Sequence, residues 1–290
     1  MGMRGAMQID AHQHFWRYNV REHGWIDQSM ASIRRDFLPA DLKPLLDKNG
    51  FQGSVVVQVR QILEETHWLL RLAEENPFIL AVVGWVDLRS PNLRQELNAF
   101  TGKTKLVGVR HIVQNEPDGF LLQPDFLKGI SVLEEFGLAY DILIYPKQLT
   151  TAIEFVKHFP TQRFALDHLA KPAIKRREID TWERGIRQLA LFPNVYAKLS
   201  GLVTEADWHA WKTEDIRPYL DIASDCFGTR RLMIGSDWPV CTVAAPYEHV
   251  MDLITSYLTK WSPEEQRAVL GNNAARFWKL PVVGSQSGTA

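Results

Sequence analysis

Cysteine is scarce in this chain of 290 residues: there are only two, Cys226 and Cys241, and they form no CxxC pattern. A disulfide framework is therefore not expected, and a reducing cytoplasm suits the chain better than an oxidising compartment. Long apolar runs are missing too, so no segment has the length that spans a bilayer. The opening Met1–Met7 lacks the apolar core of a secretory signal, and Ala6 breaks the myristoylation pattern. There is no excess of one charge. The 33 basic and 34 acidic residues give a formal net charge of −1, which supplies no electrostatic reason for nucleic acid or an anionic membrane as a partner. Also absent are a Gly-x-Ser-x-Gly elbow, a Walker A loop, a His-Glu-x-x-His helix and a Gly-rich turn after the first strand. These absences argue against serine-elbow, P-loop, zincin and dinucleotide-binding chemistry.

What is present is an alternation of short β-branched runs with longer segments of helical period. Strands are predicted at Gln8–His12, Ser54–Val59, Leu80–Val86, Leu106–His111, Leu138–Ile144, Phe164–His168, Val195–Leu199 and Leu232–Ser236. Helices are predicted between them, among them Thr66–Glu75, Pro91–Ala99, Asp125–Phe136, Leu149–His158, Ile179–Leu191, Ile216–Phe227 and Pro246–Leu258. Repeated β–α units imply a parallel sheet, and eight of them predict an α/β fold closed as a single-domain (β/α)₈ TIM barrel over residues 1–290. Residues 1–6 and 282–290 are expected to be flexible tails. Phe15–Leu38 reads as an inserted βα loop over the barrel mouth, and Pro263–Trp278 as a closing helix capped by Ser262.

Chemistry-bearing residues gather at the predicted strand ends. His12 and His14, two apart at the end of the first strand, project to one side, where they could bind a divalent metal or donate to an oxyanion. Arg110 and His111 end the fourth strand, Asp141 lies in the fifth, and Asp167-His168-Leu169-Ala170-Lys171-Pro172 follows the sixth. Lys198 and Ser200 sit at the seventh, and Ser236-Asp237-Trp238-Pro239 follows the eighth. Singly, each has an ordinary role available as a cap, a surface charge or a packed ring. Together they converge only in a barrel mouth. Asp237, just past the last strand, lies beside the first strand once the barrel closes, where it is placed to take a proton from water. Gln58, Arg110, His111, Asp141, Lys171 and Trp238 are the candidates for holding substrate. Cys241 reads as a small packed hydrophobe.

The segments Ile9–Trp16, Gly108–His111, Leu166–Pro172, Lys198–Leu202 and Gly235–Val240 resemble the amidohydrolase superfamily, and within it the sugar-lactone branch that includes L-fuconolactonases and L-rhamnonolactonases. The likeness runs from the first strand to Asn273–Phe277. It implies hydrolysis of a small-molecule sugar lactone, with His12, His14 and His168 matching the histidines of the site and Asp237 the eighth-strand aspartate. It allows one zinc ion on His12, His14, His168 and Asp237, and equally a metal-free site. The fifth strand carries no histidine and the fourth no terminal lysine, which argues against a binuclear centre. Water attack on the lactone carbonyl with Asp237 as general base is the expected mechanism, aided by Arg110, the histidines or a metal. A metal-dependent decarboxylase of aromatic acids and a non-catalytic sugar-binding barrel are the rival readings. Oligomeric state is left open.

Overall fold

A computed structural model describes residues 7–280; the tails expected at 1–6 and 282–290 lie outside them. Eight parallel strands run in the order β1 (Ile9–Gln13), β2 (Gly53–Val57), β3 (Ile79–Gly84), β4 (Leu106–His111), β5 (Ala139–Ile142), β6 (Phe164–Leu166), β7 (Val195–Leu199) and β8 (Leu232–Ile234). The helices α1 (Pro39–Lys48), α2 (Leu63–Glu75), α3 (Leu93–Asn98), α4 (Pro124–Glu135), α5 (Leu149–Lys157), α6 (Asp180–Leu189), α7 (Thr213–Phe227) and α8 (Tyr247–Leu258) follow the strands in turn. This is a (β/α)₈ barrel in one domain. Closure between β8 and β1 is made just beyond β8, where Asp237 N donates to His12 O at 2.8 Å and His14 N to Trp238 O at 2.7 Å. No helix among the described residues is long and apolar enough to cross a membrane.

The alternation of a β-strand divides the apolar residues between two clusters. Ile9, Ala11, Val55, Val57, Ala81, Val83, Ala139 and Ala165 fill the barrel interior. Their neighbours on the same strands pack outward against the helices. Trp278 and Phe277, on the last helical segment α10 (Asn273–Trp278), join the interior cluster. The expected closing helix is thus present, but it is broken. A short α9 (Pro263–Arg267), capped by Ser262 accepting from Glu265 N, passes through a π-helical turn at Ala268–Asn272 before α10. Gly271 in that turn lies where a Cβ would stand 1.9 Å from Met7 O, so the widened turn lets the chain's start pass close by.

Five strands end two residues earlier than expected, β2 at Val57, β3 at Gly84 and β8 at Ile234 among them. β5 stops at Ile142 rather than Ile144, and β6 at Leu166 rather than His168. After β6 the backbone turns left-handed for four residues, with φ between +51° and +59° at His168, Leu169, Ala170 and Lys171. None is glycine, and such a run is unfavourable by about 1–2 kcal/mol per residue. Strain of this kind persists where surrounding contacts over-determine it, and here it carries His168. The inserted loop is pinned at its base by paired backbone bonds between Trp16 and Phe37.

Candidate active site

Barrel closure sets His12, His14 and Asp237 side by side, and the left-handed turn brings His168 to them. His14 Nε2 lies 3.2 Å from both His12 Nε2 and Asp237 Oδ1. His12 Nε2 and His168 Nε2 each lie 3.7 Å from the same carboxylate oxygen. Three imidazole nitrogens and one carboxylate oxygen therefore converge, and all four residues are buried. Zinc–ligand bonds of about 2.0–2.1 Å in a tetrahedron put neighbouring donors roughly 3.3 Å apart, close to these spacings. The far side of each ring is held. His14 Nδ1 donates to Val57 O at 2.7 Å, His168 Nδ1 meets Ser200 Oγ at 2.8 Å, and His12 Nδ1 lies 3.3 Å from Asp167 Oδ1. A carbonyl only accepts, so the Val57 contact fixes the His14 tautomer and leaves its Nε2 as the ligating atom. Because His14 gives its Nδ1 proton to a carbonyl, its Nε2 lone pair faces a carboxylate oxygen. Two acceptors in contact suit a cation between them. The donor set fits a divalent ion on His12, His168 and Asp237, whose ligand atoms all lie within 4.8 Å of one another, with His14 beside them.

Burial pushes His12 well below the ordinary imidazole range, with Lys198 adding to it against the pull of Asp167. Burial likewise brings His168 down to about 4, opposed by Asp237 and Asp167. Both are thus neutral ligands at neutral pH. Burial alone would raise the Asp237 carboxyl; attraction to His168, the contact with His14 and attraction to His12, exerted by these rings when protonated, outweigh it and bring the carboxyl below the ordinary carboxylate range. All these contacts use Oδ1, which leaves Oδ2 to receive a proton.

Beneath the cluster lies a buried ionic layer. Period-two alternation puts Asp141, Asp167 and Lys198 inward, in step with Ala139, Ala165 and Tyr196. Lys198 Nζ donates to Asp141 Oδ2, stands 2.9 Å from Asp167 Oδ1 and 3.1 Å from His12 Nδ1, and is wholly buried. Its ammonium also lies 5.2 Å from the Trp278 ring. Arg110 NH1 pairs with Asp167 Oδ2 at 3.0 Å and reaches to 3.4 Å from His12 Nε2, while NH2 donates to Gln58. Asp10, pushed up to about 6 by burial despite bonds from Ser236, His12 N and Tyr247, ties β1 to the start of the β8 loop.

Several expected substrate contacts are placed otherwise. His111 faces away from the cluster, because alternation after Arg110 turns it outward; its ring stacks on Phe120 at 4.8 Å and bonds Glu116 at 2.9 Å. Trp238 is 2% exposed and packs edge-on against Phe15 and Phe37 beneath the inserted loop, which leaves no open face for a sugar. Asp141 and Gln58 are fully buried and contact Lys198 and Arg110. Lys171 does line an open cleft. Asp167 and Glu205 received no role from the sequence. Asp167 had a readable signal, since a carboxylate and a lysine inside apolar parallel strands must find one another. Glu205 had none.

Gly201 shows how tightly His168 is held. Its φ is +65°, and an added Cβ would stand 2.5 Å from His168 Nδ1. Gly201→Ala is therefore expected to displace the ring, so that a zinc ion held by the cluster would bind about 10–100-fold more weakly, with a native-like circular dichroism spectrum. Unchanged affinity by calorimetry would show that the ring is not fixed from this side.

Comparison with known proteins agrees with this geometry. The family described as amidohydrolase matches residues 9–280. An L-fucono-1,5-lactonase of Burkholderia multivorans is 41% identical over 289 residues, covering 96% of this chain and 97% of its own. One from Burkholderia ambifaria is 36% identical over 286 residues, covering 95% and 96%. The crystal structure of an amidohydrolase from Burkholderia multivorans with bound zinc superposes with a TM-score of 0.91 at 41% identity, covering 95% of this chain and all of that one. The chain belongs to the amidohydrolase family.

Proposed function

We propose that this enzyme opens a sugar lactone, an L-fucono-1,5-lactone or a similar deoxy-sugar aldonolactone, by attack of water on the ring carbonyl. The observation that carries the reading is the convergence of three imidazole nitrogens on Asp237 Oδ1, at 3.2–3.7 Å, at the mouth of a barrel whose 36–41% identical relatives are L-fucono-1,5-lactonases. Asp237 takes the proton of the attacking water through Oδ2. Protonated by that step, Asp237 hands the proton to the ring oxygen as the C–O bond breaks. Arg110 NH1, at the edge of the cluster, stabilises the oxyanion, and the Asp167 and Gln58 contacts keep its guanidinium aimed.

His12, His14, His168 and Asp237 would hold a zinc ion. Such an ion, when bound, polarises a carbonyl and lowers the pKa of water. Ser200→Ala, which strips His168 Nδ1 of its partner, should then weaken zinc binding by about 10–100-fold; equal affinity in calorimetric titrations would remove Ser200 from that role. The proposal as a whole is tested by initial rates on L- and D-aldonolactones with and without chelator. The highest kcat/KM is expected for L-fucono-1,5-lactone. Turnover of none of them would overturn it.

A further inference from the structure

We propose that Lys171 and Glu205 form a hydroxyl-binding pair that reads a ring hydroxyl of the lactone beside the catalytic cluster; this deepens the lactonase reading and rests on it. Both residues hang from the loops that fix His168. Lys171 ends the left-handed turn that begins at His168, with its N–H donating to His168 O at 2.8 Å. Glu205 ends the 3₁₀ turn Val203–Glu205 after β7, which Thr204 Oγ1 ties to Gly201 O at 2.6 Å, and Gly201 packs on the His168 ring.

Together they line a cleft of about 1,060 Å³ with Tyr145, over whose ring Lys171 Nζ lies at 5.6 Å. Small-molecule sites typically occupy roughly 300–1,000 Å³, so the cleft admits a sugar ring. It meets the cluster through the loops themselves, Lys171 being three residues beyond His168 in one turn and Glu205 four beyond Gly201, which packs on the His168 ring.

The pair's own geometry names the ligand. Lys171 Nζ and Glu205 Oε1 are 3.6 Å apart, each about one-fifth exposed. That is an ion pair just short of a hydrogen bond. An ammonium only donates and a carboxylate only accepts. A hydroxyl does both, so one group bridging the gap satisfies the two ends at once. A carboxylate would be attracted by Lys171 and repelled by Glu205, and an apolar group would leave both charges unpaired. The pair therefore favours a neutral ligand that presents a hydroxyl.

The test is the double variant Lys171→Met with Glu205→Gln, which removes both charges together and leaves neither unpaired. Initial rates would be measured on L-fucono-1,5-lactone and on unsubstituted δ-valerolactone. The expected result is a KM for the sugar lactone raised about tenfold or more, kcat changed by less than about threefold, and the kcat/KM preference for the hydroxylated ring reduced at least tenfold, as follows when a hydrogen bond to substrate is lost. An equal fall on both lactones, carried by kcat, would show that the pair acts by supporting His168 and would overturn the proposal. So would an unchanged preference. If the wild-type protein opens neither lactone, the lactonase reading fails separately. The pair is then judged by calorimetric titration with the neutral sugar L-fucose: weakened binding in the variant supports it and equal binding overturns it.

Discussion

Asp237→Asn is expected to lower kcat for lactone opening by about 10²–10⁴-fold, the range in which a positioned acid–base group contributes, with the fold unchanged. Asparagine matches the shape of aspartate and tolerates the left-handed conformation that position 237 adopts, φ +58°. The backbone bond from residue 237 N to His12 O, which closes the barrel, is also kept. What disappears is the charge that the three imidazoles surround, and with it both the proton acceptor and the anionic member of the metal-binding set. Circular dichroism and the melting temperature would register the intact fold, and a pH-stat assay the lost rate. Turnover within a few-fold of wild type would remove Asp237 from its role as base.

The second large effect is on stability. Lys198→Met is expected to destabilise the protein by about 3–5 kcal/mol, because removing one partner of a buried ion pair leaves the other charge uncompensated. Here two carboxylates, Asp141 and Asp167, lose their shared ammonium in a fully buried layer, and Arg110 remains only for Asp167. Adding Asp141→Leu to Lys198→Met should recover part of the loss, since an apolar replacement for a buried pair is often neutral or stabilising. Urea denaturation at equilibrium measures both variants. A loss below about 1 kcal/mol for Lys198→Met alone would mean that water or a relaxed Asp141 takes up the charge, contrary to the packing described.

The barrel was legible because its signals are local. Eight β-branched runs separated by helical segments leave little freedom once right-handed β–α units are stacked. The His12/His14 pair and Asp237 were legible for the same reason, since residues at the two ends of a closed sheet become neighbours. Less local features escaped. The left-handed run at His168–Lys171 carries no glycine, so nothing in the residue types announces that β6 stops at Leu166. His111 looked equivalent to Arg110, but one step along a strand reverses the face. Trp238 follows Asp237 directly, yet the inserted loop covers it with Phe15 and Phe37. Lys198 and Asp167 find each other across adjacent strands, while Glu205 reaches Lys171 only through two loops whose paths depend on the packing around His168.

The first-strand pair of histidines is thus one side of a four-residue cluster that includes Asp237, the base of the proposed mechanism. The measurement that tests this most directly is hydrolysis of L-fucono-1,5-lactone in ¹⁸O-labelled water, followed by pH-stat and mass spectrometry for wild type and Asp237→Asn in parallel. The account predicts enzyme-dependent release of one proton per lactone consumed, a single ¹⁸O in the product carboxylate, and near-complete loss of both in the variant. Proton release no faster than the spontaneous reaction, or equal rates in the two proteins, would contradict it.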